Sequence, residues 1–588
     1  MANSELYRVS SYTICVNLPE DPNHSLLVHG YTGAIDRVNK KVARMIKSRI
    51  VLSEDMFDQL PCSKETVHTL MKRGYLTSRS PVEEREYVHS MANFLHHTSS
   101  RGASSFLFLV AYDCNFRCPY CFENDISSHG KGWSKQVFTK EMVDRAYQAM
   151  CEIQPNKAMH SKSITLYGGE PLLAKNKEIV KYIVDEGLKR GYIFSAVTNG
   201  YDLHYFTDLL GPQKIKRLQI TLDGEKENHN RKRPHYRAGD SFDTIIKNVE
   251  LALSLGVRIS MRINTDYDNV DILPALFDLF KDKGFTDYPN FSAYSALVQQ
   301  VEEGMSCSAT MSGKKTPGDY GQIAPLISIE APTSDFGSDG SVTSVISFKE
   351  CETPEEFELQ AQSCSNDSPS YTASEMIDEE QYIDVEQEEE IFLNYQSGTS
   401  SIDHQKILQE MALNHPENGE ISVMPRRDFT RKYLQFAKEN PDLMHQISCQ
   451  DYGIRQTFKQ ALEGKGLLSF KPVFCGAQTS MLILDPYGDL YTCWELVGMD
   501  RYKVGTYLDK VEFNDERLSE WYDRNISNVP SCSKCKYAFF CGGGCAAHAY
   551  VKNDGNTKTS YCDEYPRVFH TVVPEIFEEQ KEQILQGV

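Results

Sequence analysis

The sequence predicts an α/β protein in which a partial (β/α)6 barrel lies between a small N-terminal winged-helix-like module and a cysteine-rich C-terminal domain. Three observations predict this fold. Six apolar, strand-like runs alternate with amphipathic helical segments over 104–297, residues 1–95 mix hairpin and helical patterns, and a dense cysteine array follows position 471. Strand–helix alternation is typical of a parallel sheet with right-handed crossovers. A chain of 588 residues is long enough for three or more folded units.

The composition excludes several classes of function. The 62 basic and 82 acidic residues give a formal net charge of −20, which argues against a non-specific nucleic-acid binder. No run of about 18 apolar residues is present, so we expect no membrane span, and the N-terminal segment lacks the pattern of a signal peptide. We therefore expect a cytoplasmic protein, in which the 17 cysteines serve as metal ligands rather than disulfides.

Residues 1–95 carry the patterns of a small module. The segments YTICVNLP and HSLLVHGYTG alternate in polarity and predict a hairpin. The segments GAIDRVNKKVARMIKS and SKETVHTLMKRGYLT have apolar residues at helical spacing, and Ser63 is a candidate N-cap of the second. A winged-helix-like unit fits these elements, and an N-terminal elaboration that only packs on the barrel is the alternative.

The barrel is predicted from six strand candidates between 104 and 297. They are SFLFLVAY (105–112), SITLYGG (163–169), YIFSAVTNG (192–200), RLQITLDG (217–224), VRISMRIN (257–264) and NFSAYSAL (290–297). In a barrel of this kind the chemistry gathers at the carboxyl ends of the strands. Candidate site residues are therefore sought where these six segments end.

The region after the barrel changes in composition. Residues 298–400 are rich in Ser, Gly, Thr and acid, and 350–390 holds 15 acidic residues without a single Lys or Arg. This composition predicts a solvated or disordered acidic insert, with a docking surface for a basic peptide as the alternative. A helical bridge is predicted over 401–470, for example in RRDFTRKYLQFAKEN, and the cysteine-rich domain over 471–588 ends in a helix.

The first barrel strand leads into three clustered cysteines, Cys114, Cys118 and Cys121. Three thiolates in one loop can converge on one centre, but a zinc site closed by protein alone requires a fourth ligand nearby. The next cysteine, Cys151, lies about thirty residues later in a helical segment. An iron–sulfur cube held by three cysteines instead leaves one iron open. A zinc loop that takes a distant fourth ligand is the alternative.

The C-x3-C-x2-C loop resembles the cluster loop of the radical S-adenosylmethionine (SAM) superfamily. The resemblance implies a [4Fe–4S] cluster whose open iron binds SAM, and one-electron cleavage of SAM to methionine and a 5′-deoxyadenosyl radical that abstracts a hydrogen atom. It further implies that Glu170 meets the methionine amine and that Tyr120 lies beside the adenine, whereas His229 is expected to be structural. The SAM-binding residues implied by the resemblance are Tyr120, Gly168, Gly169, Glu170, Asn199, Asp223 and Arg262.

The C-terminal cysteines have the pattern C-x12-G-x4-C, then C-x2-C-x5-C-x3-C, then a final cysteine. This pattern resembles the seven-cysteine SPASM domain of many radical SAM enzymes, and a pair of zinc sites is the alternative. The resemblance implies two auxiliary [4Fe–4S] clusters, one held by Cys532, Cys535, Cys541 and Cys562, and one by Cys475, Cys493 and Cys545. Some relatives supply a fourth thiolate to the second cluster where this chain has Met481. Either a remote residue such as Cys449 completes that cluster, or one iron stays open to substrate.

Together the resemblances imply a radical SAM peptide maturase. Such an enzyme would use SAM and three [4Fe–4S] clusters, take electrons from a flavodoxin- or ferredoxin-type donor, and install a thioether or carbon–carbon crosslink in a ribosomally synthesised precursor peptide. The first alternative is an anaerobic sulfatase-type maturase that forms formylglycine. It is disfavoured because Trp494 occupies the position where those enzymes carry an aspartate base. The second is a non-enzymatic zinc-binding scaffold.

Overall fold

The computed structural model describes residues 6–121, 133–299, 319–320, 424–440, 447–463, 468–553 and 555–586. Nearly all of the predicted acidic insert and much of the predicted helical bridge lie outside these ranges. The described residues belong to one compact unit, formed by 1–347 and 423–588.

The N-terminal part contains two small sheets and three helices. The elements are β1 (Leu6–Val9), β2 (Thr13–Asn17), β3 (His24–His29), β4 (Ile35–Asn39), α1 (Lys40–Lys47), β5 (Val51–Ser53), α2 (Lys64–Lys72), β6 (Leu76–Thr77) and α3 (Pro81–Ser100). Strands β2, β3 and β4 pair antiparallel in that order, and β1 lies between β5 and β6. The predicted hairpin is confirmed in β2 and β3. The Ser63 side chain accepts a hydrogen bond from the backbone N–H of Thr66, which confirms the predicted N-cap.

The central part is a parallel sheet with helices between its strands. Its elements are β7 (Ser105–Ala111), α4 (Lys140–Ile153), β8 (Ser163–Gly168), α5 (Lys177–Lys189), β9 (Ile193–Thr198), β10 (Ile215–Thr221), α6 (Lys226–Lys232), α7 (Phe242–Ser254), β11 (Arg258–Thr265), α8 (Leu273–Asp282) and β12 (Phe291–Gln299). All six predicted strands are present and pair in parallel in chain order. Every residue of β7 is buried, as expected for a strand covered on both faces. The predicted α/β fold class is confirmed.

The C-terminal part adds strands to both edges of this sheet. Its elements, with the short strand that precedes them, are β13 (Asp319–Tyr320), α9 (Arg426–Glu439), β14 (Ile447–Cys449), α10 (Ile454–Leu462), β15 (Met481–Leu484), β16 (Asp489–Tyr491), β17 (Gly505–Thr506), β18 (Glu512–Phe513), α11 (Asp515–Tyr522), α12 (Ala538–Cys541), α13 (Ala546–Lys552) and α14 (Tyr565–Gln586). Strand β15 pairs in parallel with β7, and β14 pairs in parallel with β12. The cysteine-rich region is thereby continuous with the sheet that carries the first cysteine loop. Within the described ranges, no helix combines the length and apolar character that crossing a bilayer requires.

The hairpin of β2 and β3 packs on both of its faces. Ile14 and Val28 lie in one apolar cluster with Phe569 and Val572 of α14, and Leu27 faces a second cluster formed with α1 and α2. Alternate residues of a strand point to opposite faces, so a hairpin with consecutive apolar residues, here 14–16 and 26–28, can be covered on both sides. The N-terminal module is therefore attached to the C-terminal helix through its sheet.

A chain of buried polar groups lies inside the N-terminal module. The Nδ1 atom of His29 accepts a hydrogen bond from the backbone N–H of Thr32 at 3.2 Å, so Nε2 carries the proton and donates to Ser10 Oγ at 2.9 Å. Ser10 Oγ donates in turn to the Glu84 carboxylate, which also pairs with Arg8 at 2.7 Å. His29 is fully buried, and burial lowers its pKa to about 4, although the charge of Glu84 opposes the shift.

Acid is expected to weaken the N-terminal module through His29. The folded pKa lies below the unfolded value of about 6.5, so the unfolded chain binds more protons between these pH values, and stability falls as the pH falls. We expect a loss of about 2 kcal/mol in the local opening free energy of β2 and β3 between pH 7 and pH 5, and no such loss in His29→Gln. Hydrogen exchange with mass spectrometry, corrected for intrinsic rates, measures this difference. An equal loss in wild type and His29→Gln would contradict the role of His29.

Candidate functional site

The loop after β7 brings Cys114, Cys118 and Cys121 together. Burial raises the pKa of the Cys114 thiol well above its usual value, and the nearby Glu170, Cys118 and Cys121 raise it further. Phe116 N–H donates to Cys114 Sγ at 3.4 Å. Buried thiols of raised pKa become thiolate ligands when a metal displaces their protons. The loop therefore presents three sulfur donors to one centre.

The cysteine loop is also held in place by segments that follow β9 and β10. Arg117 N–H donates to the carbonyl of Pro234 at 3.0 Å, and Phe116 forms a bridge with His235. The ring of His235 stacks on Tyr201, which follows β9, at 4.3 Å between centroids. Segments that follow β9 and β10 thus hold the cysteine loop in place.

Gly168 and Gly169 allow β8 to end directly against this loop. A Cβ atom on Gly168, whose φ is +131°, would overlap the carbonyl oxygen of Ala111, and one on Gly169 would lie 2.5 Å from that of Tyr112. The resemblance implies that these glycines contact SAM, and that contact stays a prediction. The structure shows that the backbone leading into the cysteine loop packs against both of them, and this packing sets the position of Glu170, which follows directly.

Glu170 is a buried carboxylate beside Cys114. It accepts hydrogen bonds from Thr198 Oγ1 at 2.6 Å, Asn199 N–H at 2.6 Å and Leu172 N–H at 2.8 Å. Burial raises its pKa to about 7, and among the described residues no cationic side chain forms an ion pair with it. A buried carboxylate of this kind is stabilised in its ionised form by a cationic ligand such as an ammonium group.

A second group of polar side chains converges at the ends of β10 and β11. Tyr120 OH donates to the Asp223 carboxylate, and Arg233 Nη1 donates to Tyr120 OH at 2.8 Å. Asn264 N–H donates to Asp223 Oδ1 at 3.3 Å, and its side-chain oxygen accepts from Arg262 Nε at 2.7 Å. Burial raises the pKa of Asp223, and Arg233 opposes the shift. The predicted Tyr120, Asp223 and Arg262 thus lie in one network.

Asn199 connects Glu170 to the cysteine loop. Its Nδ2 atom donates to Asn115 Oδ1 at 2.7 Å and lies 3.8 Å from Cys114 Sγ. Asn115 is also buried, and its Nδ2 atom has no hydrogen-bond partner within the part of the chain that the structure describes. Buried donors are nearly always satisfied in folded proteins. An unsatisfied donor beside three thiols and a buried carboxylate fits a polar ligand such as SAM.

His229 has a structural position. Its Nδ1 atom accepts a hydrogen bond from Asp223 N–H at 3.2 Å, and its Nε2 atom lies 3.1 Å from Ser241 Oγ. Burial lowers its pKa well below the usual value, so it stays neutral and shapes the strand end that carries Asp223.

Four of the seven C-terminal cysteines form one group. The pKa of the Cys541 thiol is raised by burial first and then by the three other members, so the four thiols are mutual neighbours. Burial likewise raises the pKa of Cys532 to about 12 and that of Cys562 to about 11. Gly544 lies so close to the Tyr561 carbonyl that a side chain would not fit between them. This close packing brings Cys562, the next residue, near the other three cysteines. The group comprises Cys532, Cys535, Cys541 and Cys562.

The other three, Cys475, Cys493 and Cys545, form a second group. Burial raises the pKa of the Cys493 thiol well above its usual value, with further contributions from Glu495, Cys545 and Cys475. Burial raises that of Cys475 to about 11. The resemblance assigns these three cysteines to one auxiliary cluster, and that assignment stays a prediction.

Cys449, considered above as a remote ligand, lies elsewhere. It is in β14, opposite Ser295 of β12, and packs against the apolar cluster of Val270, Leu297, Met424 and Phe429. Its pKa is raised by burial and then by the charge of Asp451. The pairing of β14 with β12 therefore places this thiol at an apolar cluster next to the sheet.

Arg524 lies between the two C-terminal groups. It could not be predicted as a site residue from the sequence, because no local motif marks it. It is fully buried, and burial lowers its pKa while the nearby thiols oppose the shift. Within the described ranges it forms no ion pair with a carboxylate. Its donors bind the carbonyl oxygens of Gly543, Gly544, Thr557 and Thr559. A buried cation requires compensating negative charge, and thiolate-ligated clusters on both sides would supply it.

Two neighbouring residues in the Cys493 loop point in different directions. The Trp494 ring stacks on Tyr167 of β8 at 6.1 Å between centroids. Glu495, which was also missed from the sequence, is buried with Cys545 and His548, and the ligand atoms of these three lie within 4.8 Å of one another. The indole thus packs on the barrel, and the carboxylate faces the second cysteine group.

Comparisons with known proteins define the class of the central part. Residues 109–279 match the model of the radical SAM superfamily, in agreement with the resemblance seen in the sequence. The chain is 31% identical over 179 residues to GTP 3′,8-cyclase of Campylobacter fetus, which covers 30% of this chain and 51% of that protein.

Two further similarities extend beyond that domain. The chain is 24% identical over 299 residues to the radical SAM cyclopropyl synthase TigE of Paramaledivibacter caminithermalis, covering 46% of this chain and 61% of that protein. A structure of histidine-tagged anSMEcpe with bound AdoMet superimposes with a TM-score of 0.48 at 16% identity, covering 82% of this chain and 97% of that chain. The chain spans about half the length of the first curated relatives that it matches.

Proposed function

We propose that the protein is a radical SAM peptide maturase that removes a hydrogen atom from a ribosomally synthesised precursor peptide and installs a thioether or carbon–carbon crosslink. One observation carries the proposal: a chain whose residues 109–279 match the radical SAM superfamily has three cysteines in the loop after β7 and seven in its C-terminal part. This arrangement has donors for three [4Fe–4S] clusters, one at the barrel and two auxiliary.

The barrel residues have separate tasks in this proposal. Cys114, Cys118 and Cys121 hold the first cluster, and Glu170 binds the ammonium group of SAM. When bound, the cluster and SAM supply the electron and the 5′-deoxyadenosyl radical for hydrogen abstraction. Asn199 orients the cysteine loop through Asn115.

The nucleoside part of SAM is assigned to the network at the ends of β10 and β11. Tyr120, Asp223 and Arg233 hold one another in fixed positions, so the aromatic ring of Tyr120 is available beside the adenine. Arg262 carries a fixed positive charge at the end of β11 for the carboxylate of SAM. Residues fixed before a ligand binds lose little conformational entropy on binding.

Crosslink formation is a net oxidation, so an electron must leave the substrate after hydrogen abstraction. The two C-terminal cysteine groups share Arg524 as a neighbour, and they offer a route for that electron. A flavodoxin- or ferredoxin-type protein is the proposed external donor for SAM cleavage. The fixed charge of Arg524 would stabilise the reduced, more negative state of a cluster on either side.

The N-terminal module supports peptide recognition through strand addition. Strand β4 pairs with β3 on one side, and among the described strands none pairs with its other side. Arg37 and Asn39 in this strand are exposed. An extended peptide can add to such an edge, with backbone hydrogen bonds providing affinity and side-chain pockets providing specificity.

Peptide binding is expected to protect β4 from hydrogen exchange. A precursor peptide that pairs with this strand would slow the exchange of its outward amides about tenfold or more, because each gains a partner. Strand β18 (Glu512–Phe513), which also lies at a sheet end, is the internal control and should not change. Hydrogen exchange with mass spectrometry, with and without peptide, measures both. Protection confined to other segments would show that the module does not bind the peptide through β4.

Formylglycine formation remains the second candidate function, and one observation disfavours it. Trp494, at the position of the aspartate base of sulfatase maturases, stacks on Tyr167 and offers no proton acceptor. A sulfatase-derived peptide is therefore a suitable comparison substrate. Loss of sulfur from its cysteine with aldehyde formation would favour the sulfatase-type activity over crosslinking.

The proposed function is tested with protein purified and reconstituted without oxygen. We expect about 12 irons per chain, 5′-deoxyadenosine when SAM and dithionite are added, and loss of two hydrogens from a candidate precursor peptide. Mass spectrometry detects both products. Colourless protein with stoichiometric zinc would exclude the proposal in favour of a zinc-binding scaffold. SAM cleavage that leaves every candidate peptide unchanged would exclude the peptide substrate.

A further inference from the structure

The group of Cys475, Cys493 and Cys545 has three sulfur donors, whereas the other C-terminal group has four. A fully ligated [4Fe–4S] cluster takes four protein ligands. Met481, at the place where some relatives have a cysteine, lies in β15 and pairs with Ser105. Its side chain ends in a thioether, which has no proton to lose and cannot supply the thiolate of those relatives, so an anionic fourth donor, if the protein supplies one, comes from another residue around this group.

Glu495 adjoins two of these cysteines, Cys493 in the sequence and Cys545 in space. One of its oxygens lies within 4.8 Å of Cys545 Sγ. It follows Cys493 by two positions in a short turn, Trp494–Leu496, and is 4% exposed. A carboxylate in this environment is buried among groups that would themselves be anionic when they bind iron.

His548 is the other polar side chain at this place. It lies one turn after Cys545 in α13, and its Nε2 atom is 3.8 Å from Glu495 Oε2. Its ring stacks on Tyr561 at 4.7 Å between centroids. The stacking restricts the ring, and the ring in turn restricts the position of the carboxylate. His548 lies beside Cys545, as Glu495 does.

We propose that the Glu495 carboxylate is the fourth protein ligand of the iron–sulfur cluster held by Cys475, Cys493 and Cys545, and that His548 positions it. The inference rests on the proposed function, which assigns a cluster to this cysteine group. An ionised carboxylate is an ordinary oxygen ligand of iron, and binding iron also removes the cost of burying it. The cluster then has no open iron, so it transfers electrons without binding a substrate thiolate directly.

The test uses the full-length chain with Cys114, Cys118 and Cys121 changed to alanine, because the open iron of the first cluster would otherwise bind the same probe. The reconstituted, reduced protein is treated with 13C-labelled cyanide, and the 13C hyperfine coupling is measured by pulsed electron paramagnetic resonance. We expect no 13C coupling in the triple alanine variant and a strong 13C coupling after the further change Glu495→Ala or Glu495→Gln. Each of these proteins should contain about eight irons per chain. The glutamine variant keeps the size of the buried side chain, and Glu495→Cys should restore full ligation and remove the coupling again.

Cys449→Ala is the matched control, because it removes a buried thiol outside the group and should leave the cyanide result unchanged. Equal coupling before and after Glu495→Gln would overturn the proposal, since the iron would already be open. A 14N coupling that disappears in His548→Ala would also overturn it, because the histidine would then be the ligand. In both of these cases about eight irons remain, and the proposed function stands. Zinc in place of iron in the C-terminal groups would overturn this inference and the proposed function together.

Discussion

Replacement of Cys114, Cys118 and Cys121 by alanine is expected to abolish 5′-deoxyadenosine formation while about eight of about twelve irons remain. The three thiols are the sulfur donors of the loop after β7, and they are mutual neighbours. Without them the barrel has no cluster at the strand ends, so SAM cannot be reduced. The two C-terminal groups do not depend on this loop for their ligands.

Three measurements check this result: the iron content, the paramagnetic resonance spectrum after reduction, and the amount of 5′-deoxyadenosine by mass spectrometry. Cys151→Ala is the matched control, because this exposed cysteine lies on α4, and it should keep both the irons and the product. Product formation by the triple variant at the wild-type rate would contradict the assignment of the loop. Complete loss of iron would show that the C-terminal clusters require the first one.

Glu170→Gln is expected to weaken SAM binding by about 10- to 100-fold. A hydrogen bond between an ammonium group and a carboxylate contributes roughly 1.5–3 kcal/mol, and each 1.4 kcal/mol corresponds to about tenfold in affinity. Glutamine keeps the acceptor oxygen for Thr198 or Asn199 but removes the charge. The carboxylate is buried without a cationic partner among the described residues, so the ligand is its natural counter-ion.

Equilibrium dialysis under anaerobic conditions measures the dissociation constant of SAM for the wild type and the variant. Glu178→Gln, on the exposed surface of α5, is the matched control and should bind SAM as the wild type does. The thermal midpoint reports separately on folding, since Glu170 also accepts three hydrogen bonds. Unchanged affinity in a well-folded Glu170→Gln would show that the carboxylate orders the strand ends and does not contact SAM.

Local patterns in the sequence were enough to predict the framework. The six barrel strands are apolar runs of six to nine residues separated by amphipathic helices, and this pattern depends only on neighbours in the chain. The cysteine loop is equally local, because three donors within eight residues meet almost regardless of the surroundings. The same holds for the N-cap at Ser63, which needs only a helix that begins directly after it.

Contacts between distant segments could not be predicted in the same way. The pairing of β15 with β7 joins residues about 376 positions apart, as in Met481 and Ser105, and a parallel strand pair leaves no signature in either segment alone. Cys449 shows the consequence. Its residue type suggested a ligand, but the pairing of β14 with β12 places it in the sheet. Burial by tertiary packing, rather than residue type, decided its environment.

The sequence by itself predicted the barrel strands and the position of the first cysteine loop, because hydrophobic patterning and spacing along the chain encode both; the division of the C-terminal cysteines came from the family resemblance. Only the tertiary structure placed Glu495 beside Cys545 and His548, and Arg524 near the C-terminal cysteines. It also set Glu170 in a buried position without a cationic partner among the described residues. Burial and the summed charges of distant residues govern these environments, and both arise only when the chain is folded.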